Sequence, residues 1–189
     1  DVDIATEHDC LEFDDIISSP ARLLISGEYE PRVLNGVVSR FEQTGENNRF
    51  TFYRARLVPF LWYFRHRQGS RIFQGLTVQE IIDKILTEGG VLGDEFRFEL
   101  SEDHQAREYC VQYRESELDF MRRLMEEEGI YFYFEHTMGG RHVLVMSDRH
   151  ASHRPISEPS ELSYRTDTSL LPDEEFVRRF RYREEVQPG

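Results

Sequence analysis

Cysteines are scarce in this sequence. The chain has two, Cys10 and Cys110, a hundred residues apart, whereas a disulfide framework would require more of them. We therefore expect both thiols to be reduced and the protein to fold in a cytoplasm. Long apolar runs are also missing, so no segment approaches the roughly 20 residues that span a bilayer. The opening residues, DVDIATEHDC, are polar and acidic, which predicts no signal peptide.

Positive charge is scarce as well. The chain carries 23 Lys and Arg against 36 Asp and Glu, a formal net charge of -13. A surface of this sign is repelled by phosphate backbones, so we expect no nucleic-acid binding. The motifs GxxxxGKS/T, GxGxxG and GxSxG are all absent. Nucleotide binding and the nucleophile-elbow class of hydrolases are therefore without support.

Aromatic residues, by contrast, are abundant. The 14 Phe and 9 Tyr favour a β-rich fold. Strand patterns over 21–27, 32–42 and 50–58, with turn residues between the last two, predict an antiparallel meander. Asn35-Gly36 has the composition of a type I′ hairpin turn. The arm before it is so short that a bulge within one continuous strand is equally compatible with the pattern.

Two amphipathic helices are predicted in the second half of the chain. One lies near 77–88, where Thr77 and Glu80 have the capping-box spacing, and the other near 116–128, with Ser116 as its cap. The remaining segments are strands at 96–100 and 107–114, a hairpin over 130–147, a long loop over 151–175 and a last strand over 176–184. The apolar positions that alternate in 107–114 are Tyr109, Val111 and Tyr113. This order of elements predicts an α+β fold with mainly antiparallel sheets.

One cluster is compatible with metal chemistry. Asp148, His150 and His153 lie close together in the chain, and with a nearby glutamate they could bind zinc and support a metal-dependent hydrolase. The signal is weak, because this spacing is common and no cysteine lies near it. Residues 7–10 (EHDC) also join four ligand types, but groups on one extended strand cannot all face one ion. We interpret that stretch as a solvated terminus.

The segment LMEEEGIYFYFEH, residues 124–136, joins the second helix to the hairpin. It places three glutamates at a helix C-terminus, where the macrodipole disfavours negative charge. The expected partners are arginines, either Arg122 and Arg123 one turn earlier or the basic last strand. Gly129 follows the glutamates and is predicted to be the left-handed residue that ends the helix.

Two sets of side chains are candidate subunit contacts. Tyr131 and Tyr133 share one face of the hairpin strand, and this amphipathic face is predicted to pack under the chain's own loop or against another subunit. Arg179, Arg181 and Arg183 share one face of the last strand, where they could meet carboxylates of a neighbouring strand or subunit.

The order of these motifs resembles the VgrG family, the spike proteins of bacterial type VI secretion systems, which are related to the hub of contractile phage tails. The resemblance extends from about residue 11 to the end of the chain. The two long stretches that carry it are SRIFQGLTVQEIIDKIL and CVQYRESELDFMRRLMEEEGIYFYFEH, with support from NGVVSRFEQTG, RARLVPFLWYF and VLVMSDRH.

The resemblance implies a phage-tail-hub-like fold with two barrel-like subdomains, each with a packed helix. The first subdomain would cover 1–67 without its opening strands, and the second would cover 68–150. The loop over 151–175 would then lead to a strand over 176–189 that returns to a barrel. The collar and the needle of the family would follow this portion.

The resemblance also implies partners and a location. Members form homotrimers that adapt a threefold spike to the hexameric Hcp tube, and they carry a PAAR-type tip and effectors through their C-terminal part. The target membrane is met only through the needle. Assembly takes place in the bacterial cytoplasm, before secretion or injection into target cells. The matched motifs hold no catalytic residue, metal or cofactor, so we expect this portion to be structural and not an enzyme.

Overall fold

The computed structural model describes residues 1–7, 11–26, 31–149, 161–165, 176–177 and 179–184. The first elements along the chain are β1 (Val2–Thr6), the short helix α1 (Phe13–Ile16), β2 (Pro20–Ile25), β3 (Arg32–Glu46) and β4 (Thr51–Val58). The four strands form one antiparallel sheet in the order β1-β4-β3-β2. The predicted meander is present as β2, β3 and β4, and the polar opening residues add β1 at its edge.

The core of this sheet forms because apolar side chains alternate along β3 and β4. Val38, Phe41, Tyr53 and Ala55 are buried together. The Phe41 and Tyr53 rings stack with their centroids 5.0 Å apart, and Phe13 of α1 meets Phe41 edge-on. This side of the sheet therefore holds its own small apolar core.

The Asn35-Gly36 pair forms neither of the two predicted structures. Both residues lie inside β3 in regular register with β2, and the irregularities of β3 come later, after Val38 and after Gln43. Glycine is required at position 36 for space, since a Cβ there would lie 2.6 Å from the carbonyl oxygen of Val58. The glycine that suggested a hairpin turn is instead needed because β3 and β4 approach each other closely at this position.

The second half of the chain forms an α+β unit around a larger core. Its elements are a 3-10 helix (Phe60–His66), β5 (Gln68–Phe73), α2 (Val78–Glu88), β6 (Phe96–Glu99), β7 (Cys110–Ser116), α3 (Glu117–Glu127), β8 (Tyr131–His136) and β9 (His142–Ser147). β5 pairs with β7 antiparallel. β9 pairs antiparallel with β8 and parallel with β6. The predicted α+β class with mainly antiparallel sheets is confirmed.

The larger core joins the two long helices to the sheets. α2 buries Ile81, Ile82 and Ile85 completely, and α3 buries Phe120 and Leu124 in the same way. The 3-10 helix also contributes to this core, through Leu61 and Phe64. The division of the chain near residue 67 stays a prediction.

Both long helices begin and end as their capping residues predict. Thr77 and Glu80 form a complete capping box at the start of α2, and the Ser116 side chain accepts the Asp119 amide at the start of α3. Gly129 follows α3 with φ +68°, so the predicted left-handed residue is present. The Ile130 amide then donates to the Met125 carbonyl at 2.7 Å, which is the hydrogen bond between the first and sixth residues of a Schellman motif.

The strand predicted over 107–114 is shifted toward the C-terminus. It begins at Cys110, and Arg107 forms an isolated bridge with Leu76. Cys110 and Gln112 point into the core, whereas the apolar residues that alternate with them are exposed: Tyr109, Val111 and Tyr113. Alternation thus located a strand correctly and left open which face the core would take. Cys110 is a free, buried thiol, and Cys10 lies outside the described residues.

The prediction of a last strand over 176–184 is wrong for most of its length. Among the described residues of that range, only β11 (Phe176–Val177) is a strand, and it pairs in parallel with β10 (Ser163–Tyr164). Residues 179–184 are exposed and belong to no strand. An alternating segment forms a strand only where a neighbouring strand pairs with its backbone. The residues of the segment alone do not show whether such a strand is present.

Candidate functional site

The described residues contain no arrangement that is typical of an active centre. No group of three or more His, Cys, Asp or Glu side chains is placed to hold a metal ion within the ranges described above. Among the same residues, every helix is too short or too polar to cross a membrane. The candidate functional features are therefore surfaces and the contacts that hold the elements together.

The Tyr face of β8 meets the chain's own backbone on one side. Tyr131 and Tyr133 are partly buried and their rings stack with centroids 6.3 Å apart. The Tyr131 hydroxyl donates a hydrogen bond to the carbonyl of Arg149, just beyond β9. On the opposite face, Phe132 and Phe134 pack against the larger core. Both predicted roles of this face, packing under the chain's own loop and contact with another subunit, stay predictions.

The three candidate arginines near the end of the chain lie in the exposed stretch 179–184. Arg179, Arg181 and Arg183 are all exposed, and no strand lies beside them within that stretch. Tyr182 in the same stretch donates a hydrogen bond to the Glu184 carboxylate, which raises the pKa of the Tyr182 hydroxyl. The pairing of these arginines with carboxylates of a neighbouring strand and their intersubunit role both stay predictions.

Asp148, one of the three candidate metal ligands, is committed to another contact. Its side chain is 5% exposed and accepts hydrogen bonds from the amides of Ser101 and Glu102 and from the Ser101 hydroxyl, at 2.8 to 3.0 Å. Although burial opposes it, this set of donors holds the pKa of Asp148 well below its ordinary value. Both carboxylate oxygens are thus occupied. His150 and His153 lie outside the described residues.

Two of the glutamates at the end of α3, Glu127 and Glu128, pair with arginines, one from the same helix and one from the segment before β7. Arg107 contacts Glu127 and Glu128 at 2.6 Å each, and Arg123 contacts Glu127 at 3.1 Å. Arg123 is one of the predicted partners, and Arg107 was not predicted. The Arg107 guanidinium lowers the pKa of both carboxyls. Negative charge at the helix C-terminus is therefore compensated by cations rather than by solvent.

His104 connects this cluster to Asp148. Its Nδ1 lies 2.9 Å from Glu128 and its Nε2 lies 3.4 Å from Asp148. The side chain is 9% exposed. The hydrogen bond to Glu128 in particular raises the pKa of His104, with a smaller contribution from Asp148. The segment between β6 and β7 is thus held against the end of α3 by charged side chains.

Two histidines of the β8–β9 hairpin accept backbone hydrogen bonds, one from β3 of the first sheet and one from the start of the 3-10 helix. The Asn35 amide donates to His136 Nδ1 at 3.0 Å, and the Phe60 amide donates to His142 Nε2 at 3.0 Å. The two imidazole rings stack with centroids 6.0 Å apart. We call His136, His142 and these two amides the histidine joint.

The Asn35 side chain adds two further bonds across the same boundary. Its Nδ2 donates to the carbonyls of Thr137 and Arg141 at 2.8 Å each, and the residue is 5% exposed. The Asn35-Gly36 pair therefore positions the hairpin rather than making a turn. Sequence reasoning missed this role, because the partners lie about a hundred residues further along the chain.

An apolar face remains exposed on the β5–β7 ribbon. Ile72 and Val111 lie opposite each other, and with Tyr109 and Tyr113 they form a group whose members are 39% to 65% exposed. Arg114 lies at the irregularity of this ribbon with φ 50°, and its guanidinium covers the Tyr113 ring at 5.2 Å. Exposed apolar groups of this kind are typical of interaction surfaces.

The chain is similar to known proteins over nearly its whole length. A family model described as the phage tail baseplate hub (GPD) matches residues 1–189. The chain is 37% identical over 183 residues to the type VI secretion system spike protein VgrG4b of Pseudomonas aeruginosa, a match that covers 97% of this chain and 22% of that protein. It is 38% identical over 181 residues to the spike protein VgrG5 of the same organism, covering 95% of this chain and 22% of that one.

A solved structure is similar to the fold as well. It is the E. coli c3393 protein, a component of the type VI secretion system with structural similarity to the T4 bacteriophage tail proteins gp27 and gp5. The likeness has a TM-score of 0.75 at 26% identity and covers 80% of this chain and 42% of that one. Of the two Pseudomonas spike proteins, by contrast, the chain spans only about a fifth of the length.

Proposed function

The chain belongs to the phage tail baseplate hub family, and from this premise we propose that it forms the hub portion of a type VI secretion spike. The resemblance to VgrG spike proteins is confirmed by the two Pseudomonas relatives. The observation that carries the proposal is that both the family model and these relatives cover nearly the whole chain. The role is structural, and we propose no enzymatic activity for this portion.

The architecture supports a rigid structural role. The larger core is continuous through both long helices and the sheets that flank them. Charged side chains hold the segment between β6 and β7, and directed hydrogen bonds attach the hairpin to β3 and to the 3-10 helix. A symmetry adaptor requires rigid surfaces of this kind, since strain at one contact is passed to the next.

The finer parts of the proposal concern assembly. We propose that the full-length protein is a homotrimer, that two barrel-like subdomains per chain present a pseudo-sixfold ring to the hexameric Hcp tube, and that a PAAR-type tip and effectors are carried beyond this portion. Assembly would take place in the bacterial cytoplasm before secretion or injection into target cells. Nucleic acid is not a partner, and the target membrane is met only through the needle.

The subunit contacts are proposed at the Tyr131 and Tyr133 face and at Arg179, Arg181 and Arg183. The arginines are exposed on a chain of net charge -13. A second copy of so acidic a chain offers carboxylates that these guanidiniums can pair with. Such pairing would also reduce the repulsion between copies that a surplus of negative charge creates.

The test is the mass of the full-length protein in solution, measured by light scattering. We expect a trimer at micromolar concentration that binds one Hcp hexamer per trimer in co-sedimentation. The double variant Arg179→Glu/Arg181→Glu is expected to dissociate at concentrations where the wild type stays trimeric. Arg122→Glu on the exposed side of α3 reverses a charge elsewhere and serves as its control.

Each outcome bears on a different part of the proposal. A monomeric full-length protein at micromolar concentration would refute the spike assembly. A trimer that is equally stable in the double variant and in the control would refute the arginine contacts and leave the hub role standing. A trimer that fails to bind the tube protein would refute the adaptor role alone.

A further inference from the structure

The histidine joint uses both imidazoles as hydrogen-bond acceptors. His136 accepts the Asn35 amide at Nδ1, and His142 accepts the Phe60 amide at Nε2. An imidazole nitrogen accepts only when it carries no proton, so both rings are neutral in this arrangement. Each ring then carries its proton on the other nitrogen, Nε2 in His136 and Nδ1 in His142.

The surroundings of the joint favour the neutral rings. Burial lowers the pKa of His136. Burial, and next the nearby His136 ring, lower the pKa of His142, while Glu95 acts in the opposite direction. A cavity of about 310 Å³ with mostly apolar walls adjoins His136. A proton therefore meets a poorly solvated ring here, beside a second ring of the same kind.

Charged groups face the joint from each neighbouring element, and most of them are already paired. Glu95 itself accepts the Leu92 amide. Asp1, beside β1, lines the cavity and pairs with Arg56. Asp94 pairs with Arg141, and Glu135 pairs with Arg97. Arg22 of β2 lies near Gly140. The acidic members are thus held by arginines or by an amide, and Arg22 opposes further positive charge.

We propose that the histidine joint is a pH-sensitive latch that couples β3, at Asn35, and the 3-10 helix, at Phe60, to the β8–β9 hairpin. Its two backbone hydrogen bonds open when His136 and His142 become protonated. A protonated ring turns an N–H toward the donor N–H of Asn35 or Phe60, so the hydrogen bond is lost. Two cationic rings at 6.0 Å then repel each other.

The sign of the pH dependence follows from the lowered pKa values. A histidine whose pKa is lower in the closed joint than its ordinary value of about 6.5 stabilises the joint above pH 6.5. This stabilisation is lost as the pH falls through the pKa of the closed form. The buried residues of α2 and α3 make none of these hydrogen bonds, and the Asn35 side chain keeps its bonds to Thr137 and Arg141. We therefore expect the two backbone hydrogen bonds of the joint to open while α2 and α3 stay folded.

The experiment is amide hydrogen exchange of the 189-residue chain, followed by NMR at pH 7.5 and pH 5.0 and corrected for the intrinsic pH dependence of exchange. The protection of the Asn35 and Phe60 amides is expected to fall about tenfold or more at the lower pH, the order of effect that losing a buried hydrogen bond has on local opening. Amides in the middle of α2 and α3 should keep their protection.

The matched variant is His136→Asn/His142→Gln. The Asn Oδ1 and the Gln Oε1 replace the two accepting nitrogens but do not take up protons in this range. Its Asn35 and Phe60 amides are expected to be protected equally at both pH values, within about twofold. A wild type without the tenfold change, or a double variant that loses protection as the wild type does, would overturn the proposal.

A direct titration keeps the proposal testable even if the double variant does not fold. In wild-type protein with isotope-labelled imidazoles, His136 and His142 are each expected to titrate below the ordinary value of about 6.5. Titration of either ring at or above that value would overturn the latch. Neither result depends on the spike assembly, so the latch and the proposed function stand or fall separately.

Discussion

Replacing Gly129 by alanine tests how the helix–strand junction is made. Gly129 has φ +68°, and an added Cβ would meet no other atom within 4 Å. The cost is therefore the intrinsic one of placing an L side chain in the left-handed region, about 1 kcal/mol. For a domain of this size, that loss corresponds to a fall in Tm of roughly 2–4 °C. Urea unfolding of the whole chain measures the free energy directly.

Two further variants isolate the backbone conformation as the cause. Gly93→Ala also adds a Cβ to open space at a position without positive φ, so its effect should stay within about 0.5 kcal/mol. Gly129→Asn should lose less than Gly129→Ala, because asparagine tolerates the left-handed region. The reasoning fails if alanine at 129 costs no more than alanine at 93, or if it costs about 3 kcal/mol or more, which would require a steric clash.

Three other changes are predicted from the same structure. Gly36→Ala should cost about 2 kcal/mol in urea unfolding, because its Cβ would lie 2.6 Å from the Val58 carbonyl; a loss below about 0.5 kcal/mol would contradict this. Arg114→Gly should raise Tm by about 1–3 °C by relieving φ 50°, and an unchanged or lower Tm would contradict it. His104→Gln should destabilise most near pH 6 and least near pH 9, since the raised pKa of His104 beside Glu128 stabilises below about 6.5 and is lost as the pH rises through the folded value. A pH-independent difference in unfolding free energy between wild type and variant would be evidence against this contact.

The glutamates at the end of α3 illustrate how a local conflict is resolved by the fold. Negative charge opposes the helix macrodipole there, and the sequence already indicated that arginines would compensate it. Arg123 lies one turn earlier and could be named from helical spacing. Arg107 precedes the helix by a strand and contributes the shortest contacts, at 2.6 Å. Its role follows only from the position of the segment before β7.

The candidate sites were predictable to different degrees for a physical reason. The Schellman end at Gly129 and the caps at Thr77 and Ser116 depend on residues within one or two turns, so spacing predicted them. The histidine joint depends on Asn35 and His136 meeting across about a hundred residues. A local sequence pattern cannot predict a contact between residues so far apart in the chain.

Strand patterns gave a mixed result on this chain. They located β2, β3 and β4 within a few residues, because alternation and turns are local properties. They could not decide that the Tyr109 and Tyr113 side of β7 would face outward, since α3 and the larger core cover the other side. They also predicted a strand over 179–184 where no neighbouring strand is present in the described stretch.

The sequence by itself determined the class of fold, the two capped helices, the left-handed glycine and the family. Each of these depends on residues that lie close together in the chain or on long motifs that can be recognised directly in the sequence. The tertiary structure alone decided which face of β7 is buried, which cations meet the glutamates of α3, and why glycine follows Asn35. These outcomes depend on contacts between segments far apart in the chain. Their free energies arise only when packing brings those segments together and removes the water between them.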